Sequence, residues 1–433
     1  MNSVDEMARL VDWRRRIDPS TPITSTATHV SVLAFQGDRV YKMKRAVRFP
    51  FIDLSTPDAR LAVAEREVRL NRRFSPDVYL GIAAVTDAEG ATVDHAVVMR
   101  RLPEKRRLAD LAPEDADRCV DAVAALLAGF HAEAATGGPV DAAAGVDAVR
   151  TAWQRETAEL AALGAEEVPE DTAAQVAAAG EHYLAGRAPL FAARVTAGRA
   201  RDGHGDLLAD DIFCLPDGPR LLDCLEFDDR LRAGDVCADV AFLAMDLEHR
   251  GRTDLARRFV TAYQSWSGDC WPDSYEHFHI AARARIRAKV AAIAGEPERA
   301  VSLIALAATH LDRARVRIVV VSGPPATGKT TLARSLGVAT GWPVLRSDEI
   351  RAELAGPTRP RNGALDSGVH DPVWDARTYA ELMARAQVHL EHGESVILDA
   401  TFADPARRDA VVALASTTAS DAIVLRCDAP PAL

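Results

Sequence analysis

The residues with the clearest chemical pattern lie in the last third of the chain. They fit G-x-x-x-x-G-K-[ST] and extend one residue beyond it: Gly323, Pro324, Pro325, Ala326, Thr327, Gly328, Lys329, Thr330 and Thr331. In this spacing, backbone N–H groups and a helix N-terminus surround phosphate oxygens, where the helix dipole favours negative charge. We expect Lys329 to reach the terminal phosphates and the Thr330 hydroxyl to hold Mg²⁺. The motif predicts a nucleoside triphosphate site, and the alternative is a chance glycine turn.

Two further segments place polar side chains directly after predicted strands of the same region. Asp399 ends an apolar strand, where a carboxylate can assist the metal. Asp348 and Arg351 follow the predicted strand 343–346, at the carboxyl edge where open α/β sheets bind ligands. Asp348 is a candidate to accept the proton of an acceptor hydroxyl, and Arg351 to hold an anionic acceptor or a phosphate. The alternative is a helix N-cap followed by an exposed arginine.

A second set of carboxylates lies upstream, in a segment of turns and short strands. Asp206 follows His204 and Gly205, Asp211 comes five residues later, and Asp223 ends a short strand. Carboxylates at this spacing on a hairpin-like segment suit one base and further metal ligands. Phosphoryl transfer in kinases requires both.

Lysines near the N-terminus add a cationic element to this second set. The predicted strand 39–44 alternates, so Lys42 and Lys44 share one face, and the helix that follows offers Glu67, with Glu65 as the second choice. A strand lysine paired with a helix glutamate orients the α/β-phosphates in kinase-like folds. The alternative is an exposed strand edge beside a solvated helix. The chain has only five lysines, and Lys42, Lys44 and Lys329 all fall in predicted triphosphate sites.

The elements that must position these residues change in character along the chain. The first hundred residues combine strands with one helix, and alanine-rich helices, short turns and further helices follow to about residue 313. From residue 316, apolar strands alternate with helices, which is typical of a buried parallel sheet. We therefore predict a domain of residues 1–312 and a domain of residues 315–433.

The second predicted domain resembles the small P-loop kinases of the gluconate kinase and zeta-toxin type, which are grouped with AAA-like ATPase domains. The resemblance covers about residues 316–433 and lies in Gly323–Thr331, Ser347–Arg351 and Val396–Thr401, with Arg407 nearby. It implies a P-loop NTPase fold of the α/β class with a parallel sheet. Those kinases continue into an arginine-bearing lid and a fifth strand, which leaves a truncation at the C-terminus open.

The first predicted domain resembles the aminoglycoside phosphotransferase family, whose fold is that of protein kinases and choline kinase. The resemblance covers residues 25–310 and lies in His204–Leu207, Leu222–Asp223 and Asp235–Ala241. It implies an α+β kinase-like fold with an N-lobe of about residues 25–103 and a C-lobe of about residues 104–312.

The same resemblance implies roles for individual residues. Asp206 would be the catalytic base, and Asp223 would bind metal together with Asp211, which stands where the family usually has asparagine. Lys42 or Lys44 would bind phosphate, with Glu67 as its partner. The sequence departs from the family in two further ways: Leu208 replaces a histidine, and no glycine-rich loop precedes Lys42.

Composition narrows the cellular setting. A net charge of -11 argues against bulk binding to nucleic acid or to an anionic membrane, and no apolar run is long enough to span a bilayer. We expect a cytoplasmic protein whose six scattered cysteines are buried free thiols in a reducing compartment.

These observations favour an ATP- and Mg²⁺-dependent phosphotransferase that acts on a small hydroxylated molecule. One alternative is a nucleotide-binding regulator, in which the kinase-like domain senses a ligand without transferring phosphate. A second alternative is a zeta-toxin-like kinase module.

Overall fold

The chain divides into two compact units. The computed structural model describes residues 3–49, 52–163, 168–356 and 372–428. Unit 1 comprises Met1–Ala143 and Ala200–Asp269, and unit 2 comprises Ala144–Arg199 and Cys270–Leu433. The predicted first domain therefore contributes helices to both units. The units group residues that pack together and do not test where the predicted domains begin and end. The boundaries at residues 312 and 315 therefore remain a prediction.

Unit 1 begins with an antiparallel sheet of five strands in the order β1-β2-β3-β7-β6. The elements of this part are α1 (Ser3–Ile17), β1 (Ile23–Ala27), β2 (Ser31–Gln36), β3 (Arg39–Lys44), β4 (Arg48–Phe49), β5 (Ile52–Asp53), α2 (Pro57–Asn71), β6 (Tyr79–Thr86) and β7 (Thr92–Arg100). Helix α2 begins where Thr56 Oγ1 accepts a hydrogen bond from Ala59 N and Pro57 occupies the first turn.

The two faces of this sheet pack against different helices because side chains alternate along each strand. On one face, Tyr41 and Met43 of β3 form a core with Leu10 and Trp13 of α1. On the other face, Val40 of β3 packs with hydrophobic residues of α2. Even-numbered β3 residues therefore face α2, and this orientation brings the β3 lysines towards that helix.

The rest of unit 1 is mainly helical, with short strand pairs between the helices. Its elements are α3 (Pro113–Glu133), β8 (Ala200–Asp202), β9 (Ile212–Leu215), β10 (Gly218–Leu221), β11 (Ala233–Asp235), α8 (Val236–His249), α9 (Thr253–Ser267), and 3₁₀ turns at Glu104–Arg106, Leu108–Asp110, Ala209–Asp211 and Asp229–Leu231. Strand β8 pairs with β11, and β9 pairs with β10. Helix α4 (Pro139–Ala144) covers the point in the sequence where the first segment of unit 1 ends and unit 2 begins.

The prediction that all six cysteines are buried free thiols is wrong. Cys119 of α3 and Cys214 of β9 form a disulfide, and the free Cys270 is exposed. The partners are 95 residues apart in sequence, so no local spacing indicates the pair, and only the packing of β9 beside α3 reveals it. Cys224 and Cys237 are buried free thiols, as predicted.

Unit 2 joins a set of helices to a parallel sheet of four strands in the order β13-β14-β12-β15. Its elements are α5 (Val146–Ala161), α6 (Glu170–Ala185), α7 (Ala188–Thr196), α10 (Asp273–Ile293), α11 (Pro297–Arg313), β12 (Arg317–Ser322), α12 (Lys329–Thr340), β13 (Val344–Arg346), α13 (Ser347–Ala355), α14 (Pro372–Glu391), β14 (Val396–Asp399), α15 (Pro405–Thr417) and β15 (Asp421–Arg426). The apolar run of β12 is buried, and the predicted parallel sheet is confirmed.

Polar contacts fasten the helices of unit 2 to its sheet domain. The fully buried Arg187 donates to the carbonyls of Thr418 (2.7 Å) and Ala419 (3.1 Å), just beyond α15. Ser274 of α10 donates to the carbonyl of Gly393, before β14, at 2.6 Å. Within the described ranges, no helix is both long and apolar enough to cross a lipid bilayer.

Candidate functional sites

The predicted phosphate loop connects the carboxyl end of β12 to α12, and its glycines fit the conformations that it requires. Gly323 has φ +139°, and a Cβ there would lie 2.1 Å from the carbonyl oxygen of Cys427. Gly328 precedes the first turn of α12 with φ +85°. Lys329 begins α12, and its ammonium donates to the carbonyl of Pro324 at 2.6 Å. The loop thus has the strand–loop–helix geometry of an anion site.

The predicted metal side of this loop is assembled around Asp399. Parallel pairing sets Val321 of β12 beside Asp399 of β14, so both strands deliver their ends to one edge. Thr330 Oγ1 donates to Asp399 Oδ2 at 2.7 Å. Arg346, at the end of β13, donates to the same oxygen at 3.2 Å. The structure therefore brings the two predicted ligands together and adds an arginine that the sequence did not single out.

The predicted acceptor residues lie on α13, along the same edge of the sheet. Asp348 is exposed in the first turn of α13, and it is not the N-cap, which is Arg346. Arg351 lies one turn later and donates to Asp375 Oδ1 at 2.6 Å. Arg407 contacts the other oxygen of Asp375, so one carboxylate links two arginines.

In unit 1, the predicted lysines and glutamate meet as expected from the faces of β3. The carboxylate of Glu67 is fully buried, and its two oxygens lie 2.9 Å from Lys42 Nζ and 2.7 Å from Lys44 Nζ. Lys42 also donates to Asp223 Oδ1 at 2.5 Å. Lys44 donates to Glu226 Oε1 at 2.6 Å, and sequence reasoning missed this carboxylate.

The loop that carries Asp206 is held by a buried carboxylate behind it. Asp239, near the start of α8, accepts hydrogen bonds from the backbone N–H groups of His204 (2.7 Å) and Gly205 (2.8 Å). It also contacts His131 Nε2 at 3.1 Å. Burial alone would raise the pKa of Asp239, but these donors hold it far below its usual value. Asp239 therefore holds the backbone of His204 and Gly205 from the buried side, and Asp206 is the next residue in the chain.

The carboxylates of the second set influence each other electrostatically. Desolvation and the charges of Asp223 and Asp206 raise the pKa of Asp211 well above its ordinary value. For Asp223, desolvation raises the pKa, but the neighbouring cationic groups, led by Lys42, together outweigh it and lower the pKa overall. Asp223 also has φ +61°, a left-handed conformation that is uncommon for aspartate. Such strain is often found at functional sites.

The residues of both sites fit a divalent cation. In unit 1, desolvation and then the charges of Asp223 and Asp206 raise the pKa of Asp211, and a cation would relieve the repulsion among these carboxylates. In unit 2, Thr330 and Asp399 supply hydroxyl and carboxylate oxygens, which Mg²⁺ prefers. Across the described residues, no group of three or more His, Cys, Asp or Glu side chains is arranged to hold a metal by itself. Mg²⁺ is usually completed by water and substrate phosphate oxygens, so two protein ligands are sufficient.

Two segments of the chain each match the model of a known protein family. Residues 38–276 match the model of the phosphotransferase enzyme family, and residues 318–433 match the model of an AAA domain. Uncharacterized proteins of Mycobacterium tuberculosis and Mycobacterium bovis are 40% identical over an alignment of 412 residues, and the match covers 93% of this chain and 83% of each relative.

Solved structures give a more distant likeness. A choline/ethanolamine kinase family protein from Mesorhizobium loti is 14% identical with a TM-score of 0.42, over 72% of this chain and 94% of that one. An aminoglycoside phosphotransferase, APH(2")-IIIa, solved with GDP and kanamycin, is 13% identical with a TM-score of 0.43, over 70% of this chain and 97% of that one.

The family matches confirm the predicted fold class, in which a kinase-like phosphotransferase fold precedes an α/β domain with a parallel sheet. They also confirm the expectation of an enzyme of the kinase class. The chain belongs to the phosphotransferase enzyme family and carries a C-terminal AAA domain.

Proposed function

We propose that this chain is an ATP- and Mg²⁺-dependent phosphotransferase that acts on a hydroxyl group of a small molecule. The observation that carries the proposal is the cluster of unit 1, in which Lys42 contacts both Glu67 and Asp223. A lysine between a helix glutamate and a metal-binding aspartate is the arrangement that orients a triphosphate in kinases.

The proposed reaction in unit 1 uses each residue for one task. Lys42 holds phosphate oxygens, and Asp223 and Asp211 hold Mg²⁺, which neutralises charge on the phosphates. Asp206 accepts the proton of the acceptor hydroxyl. The hydroxyl oxygen then bonds to the γ-phosphorus, the bond from that phosphorus to the β–γ bridging oxygen breaks, and ADP leaves.

The P-loop of unit 2 is proposed as a second nucleotide site. Lys329 would exchange its contact with the Pro324 carbonyl for phosphate, and Thr330 and Asp399 would hold Mg²⁺. Asp348 would serve as the base of this site, and Arg351 would hold an anionic part of the acceptor.

The regulator alternative has one observation in its favour. Asp211 stands where the family usually has asparagine, and burial together with the charges of Asp223 and Asp206 raises the pKa of its carboxyl. A domain that senses a ligand without transferring phosphate would tolerate this charge. The acceptor decides between the two functions, because acceptor-stimulated ADP release belongs to a transferase alone.

The test is ADP release from Mg-ATP with a panel of sugars, aminoglycosides and amino alcohols. The chains compared are wild type, Asp206→Ala and Lys329→Ala, with Asp254→Ala as a control because Asp254 is exposed and pairs with Arg257 at the surface. We expect one acceptor class to stimulate ADP release, and Asp206→Ala to abolish the stimulation. If no acceptor stimulates release while Lys329→Ala still removes ATP binding, the regulator function replaces the transferase function.

A further inference from the structure

Two lysines share one buried carboxylate in unit 1, and the sequence does not decide which of them binds phosphate. Among the described residues, the ion pairs of Glu67 are those with Lys42 and Lys44. Each lysine also contacts a second carboxylate, Asp223 for Lys42 and Glu226 for Lys44. These second partners differ in their surroundings, and the difference separates the roles of the lysines.

Lys44 is enclosed on all sides. Its side chain is 3% exposed, and it lies between the buried Glu67 and Glu226, whose side chain is 11% exposed. Desolvation lowers the pKa of Lys44, but the two carboxylates outweigh it and raise the pKa overall. The ammonium therefore stays charged and held, and a phosphate could reach it only by displacing a buried carboxylate, which would be left without its partner.

Lys42 lies at the open end of the same cluster. Its side chain is 12% exposed, and its second partner Asp223 is 50% exposed. Asp223 is also a proposed metal ligand, so a bound cation competes with Lys42 for the same carboxylate oxygens. Once Asp223 is engaged elsewhere, Lys42 loses one anionic partner, and a phosphate oxygen can replace it at little cost.

We propose that Lys42 alone contacts phosphate, and that Lys44 and Glu226 are positioning residues which hold Glu67 in place behind it. In this arrangement Lys44 pairs with one of the two carboxylate oxygens of Glu67 and compensates part of its charge. Glu226 holds Lys44 in place, so that Lys44 does not move towards the ligand. Without Lys44, the buried Glu67 has only Lys42 to compensate its charge, and it would draw Lys42 away from the phosphates. The assignment rests on the proposed nucleotide site of unit 1.

A double-mutant cycle tests the assignment in a Lys329→Ala chain, which removes nucleotide binding at the P-loop. The affinities of mant-ATP with Mg²⁺ and of adenosine are measured for this chain and for Lys42→Met, Lys44→Met and the double variant. We expect Lys42→Met to weaken mant-ATP about 10- to 100-fold, the scale of a charge-assisted hydrogen bond. Lys44→Met should weaken it about tenfold, and the double variant should match Lys42→Met, because Lys44 acts through Lys42.

The affinity for adenosine distinguishes a positioning role of Lys44 from general damage to the fold. Adenosine has no phosphate, so its affinity should stay unchanged in Lys44→Met, whereas a disrupted site would lose both ligands. Glu226→Gln provides a milder change that keeps the size of the side chain. It should weaken mant-ATP several-fold when Lys42 is present and have no effect in the Lys42→Met chain.

Two results would overturn the assignment, and they are distinguishable. If the Lys329→Ala chain binds mant-ATP and the effects of Lys42→Met and Lys44→Met multiply, then Lys44 contacts phosphate itself. If the Lys329→Ala chain binds no mant-ATP, the nucleotide site of unit 1 is refuted, and the positioning role is refuted with it.

Discussion

The substitution Asp239→Asn tests whether a buried carboxylate holds the loop that presents Asp206. Asp239 is 6% exposed and accepts two backbone hydrogen bonds, from His204 and Gly205, in addition to its contact with His131. Asparagine has nearly the same shape but carries only one acceptor oxygen and no charge. Its amide N–H₂ group must therefore face at least one of the backbone donors.

The expected cost follows from these contacts. Each hydrogen bond to a charged acceptor contributes about 1.5–3 kcal/mol, and a buried donor that loses its partner costs about as much. We expect Asp239→Asn to lower the free energy of unfolding of unit 1 by about 3 kcal/mol at pH 7. Catalysis should also fall if Asp206 is the base, because the loop that orients it loses an anchor.

The pH dependence of the stability difference provides a second, independent test of the prediction. Because the folded-state pKa of Asp239 lies below its unfolded value, its contribution is complete above about pH 4. The contribution is lost as the pH falls through the folded-state pKa. The difference between wild type and Asp239→Asn should therefore be largest near neutral pH and shrink in acid.

Urea unfolding at several pH values is the assay, with Asp254→Asn as the control. Asp254 is 99% exposed and pairs with Arg257 at the surface, so its substitution should change stability by less than about 0.5 kcal/mol. A loss of under 1 kcal/mol in Asp239→Asn, or a loss that does not depend on pH, would refute the role assigned to this carboxylate.

Three further predictions concern other parts of the chain. Gly186→Ala should destabilise unit 2 by about 1–3 kcal/mol in urea unfolding, because its Cβ would lie 2.0 Å from the Thr418 carbonyl oxygen; Gly129→Ala, in an open helical position, should instead stabilise by up to about 1 kcal/mol. Burial, together with the positive charges of nearby arginines, lowers the pKa of His279. The free energy of unfolding should therefore decrease below about pH 6.5, where the unfolded chain takes up a proton. The decrease between pH 7 and pH 5 should be smaller in His279→Phe than in wild type. Reducing the disulfide should raise the thiols titrated in denaturant from four to six and cost about 2–4 kcal/mol of stability; six thiols without reductant would contradict the pairing.

The features that the sequence predicted well depend on short stretches of chain. The strand–loop–helix geometry at Gly323–Thr330, the buried β12 and the shared face of Lys42 and Lys44 each follow from local spacing and alternation. Glu67 could be selected, with Glu65 as the other choice, because α2 is the first helix after the lysine strand in sequence. Local rules therefore indicated the chemical groups and most of their immediate neighbours.

The features that the sequence could not reveal depend on contacts between distant segments. Glu226 reaches Lys44 across 182 positions, and Cys119 reaches Cys214 across 95. Asp375 links Arg351 and Arg407 from a third element. No spacing rule connects such pairs, because their distance is set by how helices and strands pack and not by the chain between them.

The two candidate sites lie in different units, and each is built from residues of its own unit. The lysine–carboxylate cluster and the Asp206 loop lie wholly within unit 1, whereas the P-loop, Asp399 and α13 lie wholly within unit 2. The helices that fasten onto the sheet of unit 2, through Arg187 and Ser274, come from the region predicted to belong to the first domain. A fragment cut at residue 314 would therefore remove these buried contacts from the P-loop sheet. For this reason each site is best silenced by a single substitution in the full chain, and not by expressing its predicted domain alone.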